Sequence, residues 1–594
     1  MRRSILLAAV LGATLAVLPA TSRATVELVA PGATDGLARA LRGASLSLAG
    51  KAEGRTDAQD VYAAARQDYA RLLGALYAAG HYSGVISIRL DGREAADIPP
   101  LSAPARIDKV EITVEPGPIF TFGTARIGPL ASGTAVPEGF RTGAGAYSGL
   151  IRDAADAAVT GWREAGHAKA AIGRQGLTAD HRAARLDADI GVTPGPQVRF
   201  GRLSFSGQER MHLGRLHAIA GFPEGRVYSP RDMRRVADRL RRTGVFRSAT
   251  LTEAERLGPG DTLDVAVALV EDAPRRIGFG AEIASLDGVT VTGFWLHRNL
   301  FGGAERLRFD AEVAQIGSQT SGIDYRLGAT LERPATFHPD ITMAVALGLS
   351  HVEDRDQTTD EAQIGVTFTQ FFSETITGRA GLQFAAQEVT DAIGRRGFQT
   401  LSLPVGLTWD RRDNAFDATR GTYLDAEIAP YLGFGATNSG ARLRFDGRLF
   451  QPLGERIVLA GRVQGGAVVA DGIAATPRSF LFYSGGGGTV RGQPFQALGV
   501  NVLPGQRTGG MRFLAASAEV RAKVTRSIGA VAFYDVGLIG ATEFGDAAGG
   551  MHAGAGIGLR YATPIGPIRL DVAAPVGGNT GKSVQFYIGI GQAF

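Results

Sequence analysis

The stretch most suggestive of chemistry is a glycine-rich run near the C-terminus, SGGGGTVRGQPF, which spans Ser484 to Phe495. Consecutive glycines followed by an arginine could present backbone N–H groups and a guanidinium to an anion such as a phosphate. The run does not fit G-x-G-x-x-G, because Arg491 occupies the place of the third glycine when the count starts at Gly486. No helical pattern follows to supply the helix N-terminus on which such loops depend. The run therefore does not indicate a nucleotide site.

Other catalytic signatures are equally weak. The segment GGNTGKS, which begins at Gly577, resembles a P-loop but has Val576 where that motif requires glycine. The chain contains neither G-x-S-x-G nor H-E-x-x-H. Its nine histidines are scattered and cysteine is absent, so no metal centre is predicted. We expect no catalytic residues, no metal and no cofactor, and hence no enzyme.

The charge balance argues against a nucleic-acid partner. Lysine and arginine together number 63 and the acidic residues 58, which gives a formal net charge of +5. Proteins that bind nucleic acid usually cluster basic residues on one face, and an excess this small gives no such indication. Glycine is abundant, with 82 residues in 594, and its density rises towards the C-terminus.

The first 24 residues have the form of a secretory signal peptide. Arg2 and Arg3 provide the basic start, an apolar stretch follows, and Ser22-Arg23-Ala24 provides a small-x-small cleavage site. The apolar stretch is shorter than the roughly 20 residues that a spanning helix needs. We therefore predict an exported chain with a signal peptide at residues 1–24.

A module of roughly 80 residues is repeated in the N-terminal part. Phe122 and Phe200 stand 78 positions apart in matching contexts, and so do Pro118 and Pro196. Such a period indicates repeated units, and we predict a strand, a helical region and two further strands in each copy. The predicted copies cover residues 25–103, 104–196 and 197–273.

The helix predicted in the third copy is rich in arginine. Ser229 is a good N-cap, Pro230 suits the first helical position and Gly244 suits the end. The arginines are Arg231, Arg234, Arg235, Arg239, Arg241 and Arg242. They could face an anionic partner or a membrane, but interspersed aspartates favour an ordinary solvated face.

From residue 274 to residue 594 short alternating runs replace the helical pattern. The segment ARLRFDGRLF (441–450) alternates charged with apolar side chains. A soluble sandwich also alternates, but several charges on one face of a strand and only apolar groups on the other suit a wet lumen and a lipid boundary. At about ten residues for each tilted strand, with a similar allowance for turns, the stretch predicts a closed barrel of about sixteen strands.

Specific motifs make the chain resemble the TamA branch of the BamA/TamA superfamily of outer-membrane assembly proteins. These motifs are LFYSGGGGTVRGQ from Leu481, TPIGPIRLDVAAPV from Thr563, VQFYIGIGQAF from Val584, and WDRRDNAFDATRGTYL from Trp409. The resemblance covers essentially the whole mature chain. It implies α+β POTRA repeats at 25–103, 104–196 and 197–273, followed by a transmembrane antiparallel β-barrel at 274–594.

The resemblance also implies a function and partners. Members of this family insert or translocate other outer-membrane proteins, autotransporters among them, without nucleotide. The TamA branch works with TamB, an inner-membrane-anchored partner, so a TamB-like partner, unfolded outer-membrane protein substrates and outer-membrane lipid are expected. The expected location is the outer membrane of a Gram-negative bacterium, with the POTRA modules in the periplasm. The alternatives are a passive porin, a BamA-like assembler and a two-partner secretion transporter.

The resemblance assigns candidate residues to the glycine-rich run. Val490, Arg491 and Gly492 would form the core of the sixth extracellular loop, with the arginine folded back into the barrel. Its implied partner lies in an aromatic-x-Asp-x-Gly strand motif, here Phe533, Asp535 and Gly537. Glu519, in AEVRA, is a weaker candidate for a lumenal contact. A charge-assisted hydrogen bond between Arg491 and Asp535 would make the loop a structural strut.

The C-terminal strand carries a predicted recognition signal. Alternation puts Phe586, Ile588, Ile590 and Phe594 on the lipid face and Gln585, Tyr587, Gly589 and Gly591 on the other. Tyr587, Gly589 and Phe594 are the signal residues that we single out. Gln592 and Gln493 depart from the family pattern, since apolar or aromatic residues are usual at both places, and Phe495 is a candidate substitute for the second.

Overall fold

A computed structural model describes residues 25–54, 57–284, 288–318, 322–354, 357–391, 394–503, 506–563 and 566–594. The predicted signal peptide lies outside these residues. The described chain divides into two compact units. One contains the first two modules together with Gly225–Pro230 and Arg256–Leu263, and the other contains the barrel together with Arg202–Glu224 and Arg231–Glu255.

The first module packs three helices against a four-stranded sheet. Its elements are β1 (Thr25–Val29), α1 (Asp35–Ala44), α2 (Leu46–Ala52), α3 (Ala58–Ala78), β2 (Val85–Leu90), β3 (Arg93–Glu94) and β4 (Lys109–Glu115), with sheet order β1-β4-β2-β3. Asp57 caps α3, because its carboxylate accepts hydrogen bonds from the N–H groups of Gln59 and Asp60. Leu41, Leu72 and other apolar side chains of the helices close over the sheet to form the core.

The second and third modules repeat the predicted strand-helix-strand-strand order. The second consists of β5 (Thr121–Gly128), α4 (Ser148–Glu164), β6 (Ala171–Asp180) and β7 (Arg185–Thr193), in the order β5-β7-β6. The third consists of β8 (Arg199–Ser206), α5 (Leu213–Ala220), α6 (Pro230–Arg242), β9 (Phe246–Glu253) and β10 (Thr262–Glu271), in the order β8-β10-β9. Helix α6 begins at Pro230, as its sequence predicts. No helix in the described ranges is both long enough and apolar enough to cross a bilayer.

One predicted module boundary does not match the sheets. Strand β4 pairs in parallel with β1 and antiparallel with β2, so it completes the sheet of the first module. The boundary between residues 103 and 104 would separate β4 from that sheet. Repeat spacing sets that boundary, and spacing does not report which sheet a strand joins. We propose that the first module extends through Glu115.

The junctions on either side of the second module have the same construction. At the first, His81 Nδ1 lies 2.9 Å from the carbonyl oxygen of Gly117, and the N–H of Phe120 donates to the carbonyl of Gly80. At the second, His167 Nδ1 lies 2.9 Å from the carbonyl oxygen of Gly195. The N–H of Val198 there donates to the carbonyl of Gly166. Each junction thus ties the end of a helix to the turn that leads into the next module.

The C-terminal strands close into an antiparallel barrel. They are β11 (Arg275–Ala284), β12 (Gly288–His297), β13 (Arg306–Ile316), β14 (Asp324–Arg333), β15 (Ile341–Asp354), β16 (Gln357–Phe371), β17 (Ile376–Asp391), β18 (Gly394–Ser402), β19 (Val405–Asp410), β20 (Gly421–Phe434), β21 (Gly440–Leu453), β22 (Ile457–Val469), β25 (Arg512–Lys523), β26 (Ile528–Gly540), β27 (Gly550–Tyr561), β28 (Ile568–Gly577) and β29 (Gln585–Ile590). Strands β23 (Val500–Leu503) and β24 (Gln506–Thr508) form a separate hairpin between β22 and β25. Because β18 and β19 are two halves of one strand, interrupted at Leu403-Pro404, the barrel has sixteen strands, which confirms the predicted fold.

The two faces of the barrel follow the predicted alternation. On β21 Leu443, Phe445 and Leu449 are exposed on the outer face. On the inner face of the same strand Asp446 accepts 2.7 Å hydrogen bonds from Arg448 and from Arg462 of β22. The charged side chains thus neutralise one another in the lumen, while the outer face remains apolar.

The arginines of α6 do not all lie on a solvated face. Arg239 is only 8% exposed, and its guanidinium donates to both carboxylate oxygens of Asp340, at 2.8 and 2.6 Å. Asp340 lies in the turn between β14 and β15. Arg242 donates to the same carboxylate at 3.1 Å and stacks over the ring of Phe371. The expectation of a solvated face is therefore wrong for Arg239. The local sequence pattern of α6 cannot indicate a partner that lies 101 residues away in the chain.

Candidate functional site: the sixth loop and the barrel seam

The glycine-rich run lies in the long connection between β22 and β25, which is the sixth loop of the barrel. An apolar cluster holds the loop against the strands around it. Its buried members include Leu481, Phe482, Leu498 and Val500 from the loop and Phe513 and Ile539 from β25 and β26. The loop therefore packs against the inner wall of the barrel rather than extending away from it.

Arg491 and Asp535 meet in the lumen with almost no solvent exposure. Nε and Nη2 of Arg491 donate to the two carboxylate oxygens of Asp535 at 2.8 and 2.9 Å. The backbone N–H of Arg491 donates to the same carboxylate at 3.1 Å. The two side chains are 3% and 1% exposed. Two parallel N–H···O bonds fix both the position and the orientation of the guanidinium.

The pair belongs to a larger buried network of charges. Arg491 Nη1 donates to Glu519 at 2.7 Å and lies 3.6 Å from the carboxylate of Asp571. Arg521 also binds Glu519, at 2.8 Å, and Arg560 pairs with Asp571. Three guanidinium groups therefore face three carboxylates. This balance matters because an uncompensated buried charge is strongly destabilising.

The residue types of the Phe533-x-Asp535-x-Gly537 motif follow from the packing of the loop. The guanidinium carbon of Arg491 lies 3.5 Å from the centroid of the Phe533 ring, a favourable cation–π distance. A Cβ on Gly537 would come within 2.2 Å of Ser484 Oγ and 2.9 Å of Val490 Cγ2. Glycine is therefore required for the loop to approach β26, and Val490 fills the space.

The loop also contacts the last hairpin of the barrel. The N–H of Gly492, whose φ is +87°, donates to the hydroxyl of Tyr587 on β29 at 3.1 Å. Gln493 is fully buried and donates to the carbonyls of Ala553 and Gly577 at 2.7 and 3.1 Å. Gln493 thus occupies the place of the usual aromatic residue and is held there by hydrogen bonds. Phe495 is partly exposed and does not take over that buried position.

A buried serine–histidine contact supports the loop and resembles a catalytic dyad only superficially. Ser484 Oγ lies 2.8 Å from His552 Nε2, and His552 Nδ1 lies 2.8 Å from the hydroxyl of Thr580. Thr580 donates in turn to Gln493. A hydroxyl in place of a carboxylate cannot stabilise an imidazolium as a catalytic triad does. Ser484 is 1% exposed and His552 is fully buried, so no substrate can reach them in this arrangement.

The barrel closes through a short seam between its first and last strands. In the described residues β29 pairs with β11 at two positions, Ile283 with Ile588 and Ala284 with Tyr587. On its other side β11 pairs with β12 along its whole length, from Arg275 to Ala284. Over Arg275–Glu282 the described strands therefore leave one edge of β11 without a ladder partner.

The C-terminal tail turns into the lumen instead of continuing β29. After Gly591, whose φ is +91°, Gln592 accepts a hydrogen bond from Arg560 and donates to Asp417, both at 2.9 Å. The ring of Phe594 packs near Phe450, an inward-facing residue of β21 that is 1% exposed. The predicted lipid-facing position of Phe594 is therefore wrong, because the strand ends at Ile590 and alternation no longer applies beyond it. Phe586, Ile588 and Ile590 are exposed as predicted.

Sequence reasoning did not assign several members of this site. Arg521, Arg560, Asp417 and the tail contact of Gln592 emerged only from the structure. Period-two alternation in GPIRLDVAAPV (566–576) puts Asp571 on the inner face of its strand, and this is the one sequence signal for that residue. Within the described ranges no group of three or more His, Asp or Glu side chains is placed to hold a metal ion. Every carboxylate of the cluster is instead matched by a guanidinium.

Comparison with known proteins agrees with this architecture. Outer envelope protein 80, chloroplastic, of Arabidopsis thaliana is 26% identical over an alignment 403 residues long, which covers 62% of this chain and 52% of that protein. The chain thus spans about half the length of this relative. BamA from Haemophilus ducreyi lacking POTRA domains 1–3 superimposes with a TM-score of 0.59 at 15% identity, over 79% of this chain and 100% of that one. CdiB from Acinetobacter baumannii gives 0.52 at 11% identity, over 80% and 90%. At these identities the two structures show a shared fold.

The match to a family description lies in the barrel. The barrel, its POTRA-like N-terminal region and the family match to the barrel together indicate a protein of the outer membrane of a Gram-negative bacterium, with that region in the periplasm. Residues 299–594, which include the sixth loop, the strand motif of Asp535 and the terminal strand, match the family description Omp85 superfamily domain.

Proposed function

We propose that this protein helps to insert or translocate other outer-membrane proteins, autotransporters among them, by offering the edge of β11 at its seam to an incoming strand. The observation that carries the proposal is the two-pair seam between β11 and β29. An unpaired strand edge is a ready template for another strand. Neither nucleotide nor covalent chemistry is needed for such pairing.

The exposed side chains of β11 suit a strand that meets lipid. Ile277, Phe279 and Ile283 are 62%, 86% and 58% exposed, and they alternate with Gly278, Gly280 and Glu282. A substrate strand with the same alternation could pair with this edge while its own apolar face meets lipid. Local thinning of the bilayer beside a short seam would lower the barrier to insertion.

The sixth loop acts in this proposal as a strut. Arg491 joins the loop to β25 and β26 through Glu519 and Asp535, and Gly492 joins it to β29 through Tyr587. The loop thus spans the strands next to the seam from inside. Its role is to hold these strands in register while the seam changes, and no step of the proposal uses it as a catalyst.

The N-terminal modules would receive the substrate on the periplasmic side. Strand β6 is an edge strand of its sheet, and most of its ten residues are exposed. An unfolded chain could add to such an edge through main-chain hydrogen bonds. A TamB-like inner-membrane-anchored partner would dock on the same modules, and outer-membrane lipid would be handled with it. A passive porin does not need these modules.

A deletion strain tests the proposal. We expect lower outer-membrane levels of autotransporters and of other barrel proteins, or altered lipid asymmetry, with recovery on complementation by the wild-type chain. No change in any of these quantities would refute the assembly function. A loss of small-solute uptake alone, together with a large constitutive conductance of the purified protein in liposomes, would instead indicate a porin. Loss of one secreted partner alone would indicate a two-partner secretion transporter.

A further inference from the structure

The tail after Gly591 could adopt either of two arrangements, and the hydrogen bonds of Gln592 favour one of them. In the structure the tail lies inside the barrel. The alternative is that β29 continues in its existing register along β11. Because Ile283 pairs with Ile588 and Ala284 with Tyr587, that register would bring Glu282 opposite Gly589 and, at its end, Ile277 opposite Phe594. Six further residue pairs would lengthen the seam.

Several contacts favour the inward arrangement. The Gln592 side chain satisfies its amide through Asp417 and its carbonyl through Arg560. The backbone N–H of Gln592 donates to the carbonyl of Phe416 at 3.2 Å. Arg521 donates to the carbonyl of Phe594 at 3.2 Å and lies 5.3 Å from its ring centroid. These partners come from the β19–β20 turn, from β25 and from β27, so the tail contacts three separate parts of the barrel.

The extended arrangement would deprive Gln592 of those partners. Residues 588, 590 and 592 share one face of a continuous strand, and Ile588 and Ile590 are exposed on the outer face. An extended strand would therefore turn the Gln592 side chain outward beside Phe279. An amide with no hydrogen-bond partner is unfavourable in an apolar environment, whereas an apolar side chain would be favoured there.

We propose that Gln592, held by Asp417 and Arg560, is a positioning residue that keeps the C-terminal tail in the lumen and thereby limits the pairing of β29 with β11. The residue acts through the seam, and its importance for assembly rests on the proposed function. The tail contact shares Arg521 with Glu519, which also binds Arg491, so the tail and the sixth loop are joined through one charge network.

Hydrogen exchange of the segment 275–284 in the purified full-length protein tests this inference. The Gln592→Leu variant removes both side-chain hydrogen bonds and makes the outward position favourable. We expect exchange of the amides at the free edge of β11 to slow by about tenfold or more, as new ladder hydrogen bonds form. The matched control is Gln451→Leu, an exposed glutamine on the outer face of β21 that takes no part in the tail contacts named above, which should leave this exchange unchanged.

A second pair of variants distinguishes loss of the Gln592–Asp417 hydrogen bond from a general loss of structure. Asp417→Ala removes the acceptor of the Gln592 amide and should slow exchange in the same segment, whereas Asp417→Asn keeps an acceptor oxygen and should behave as the wild type. Heat-modifiable migration on gels verifies that each barrel is folded. Unchanged exchange in both folded Gln592→Leu and folded Asp417→Ala would overturn the inference. Because exchange is measured without substrate, the result does not depend on whether the deletion strain shows an assembly defect.

Discussion

Arg491 of the sixth loop and Asp535 of β26, 44 residues apart, form a buried two-pronged ion pair that places the loop against the inner wall of the barrel. Glu519 accepts a hydrogen bond from Nη1 of the same guanidinium, and the ring of Phe533 stacks against the guanidinium plane. The arginine therefore has a complete set of partners within the chain. This geometry explains a glycine-rich run with an arginine without any nucleotide.

Removal of either partner of this pair should destabilise the barrel. Arg491→Ala leaves three buried carboxylates with two guanidinium groups, and breaking a buried pair in this way costs about 3–5 kcal/mol. Asp535→Ala should cost a similar amount, and the double variant should cost clearly less than the sum of the two. The free energy of unfolding in urea, measured for the purified barrel in detergent, gives the coupling. Additive effects of the two substitutions would show that the pair is not an energetic unit.

Arg491→Lys provides a sharper version of the same test. Lysine keeps the charge but cannot make two parallel bonds to one carboxylate while binding a second one. We expect it to recover only part of the stability lost in Arg491→Ala. Full recovery would mean that charge alone, and not the planar fork of the guanidinium, holds the loop.

Gly537→Ala should displace the sixth loop. The added methyl group would overlap Ser484 Oγ and Val490 Cγ2, so the loop must move away from β26. Faster proteolysis of the loop in intact cells would report the displacement. Gly461→Ala on β22 is the matched control, because no atom lies within 4 Å of its added Cβ. Equal protease sensitivity of the two variants would contradict the close approach at Gly537.

The contact between α6 and the β14–β15 turn should persist at neutral pH and weaken only in strong acid. Burial alone would raise the pKa of Asp340, but hydrogen bonds and charge from Arg239 and Arg242 hold that pKa below its ordinary value. A lowered carboxyl pKa stabilises the folded state above the unfolded pKa of about 3.9, and this contribution is lost as pH falls through the folded value. Spin labels on Arg234→Cys of α6 and on Phe337→Cys, a 90% exposed residue of the β14–β15 turn, report the contact, since the chain has no native cysteine.

The expected distance distribution of the wild-type contact is narrow from pH 5 to pH 8 and broadens only as pH falls below the ordinary carboxyl pKa of about 3.9. Asp340→Asn should broaden it already at pH 7, because both arginines lose their anionic partner. Asp238→Asn, which affects only an exposed pair with Arg241 on α6 itself, is the control and should change nothing. A broad distribution in the wild type at pH 7 would refute a fixed contact.

The sequence predicted what depends on local pattern and missed what depends on distant partners. Alternation in 441–450 and the start of α6 at Pro230 are local signals, and the structure agrees with both. The buried Arg239 and the inward turn of Phe594 depend on Asp340 and Arg521, which lie far away in the chain. The contact of Arg491 with Asp535 is predictable from the sequence only because motif resemblance carries long-range information that periodicity lacks.

The junction between the first two modules should be stiff and should depend on His81. Loss of its 2.9 Å contact with the Gly117 carbonyl in His81→Ala frees the turn that leads into the second module. Spin labels on the exposed helix positions Gln67→Cys and Arg152→Cys should show a narrow distance distribution that broadens in His81→Ala. His167→Ala alters the equivalent contact at the other junction and should leave this distance unchanged. A distribution that is already broad in the wild type would show a flexible junction.

We propose that the seam between β11 and β29 must open for the protein to work. Ile283→Cys and Ile588→Cys face each other across the seam, so a disulfide between them would lock it in a chain with no other cysteine. Val291→Cys with Val313→Cys, opposite each other on β12 and β13, is the matched lock away from the seam. We expect the oxidised seam lock to fail to restore autotransporter levels in the deletion strain, a reductant to restore them, and the control lock to work in both states. Full restoration by the oxidised seam lock would show that the seam does not need to open.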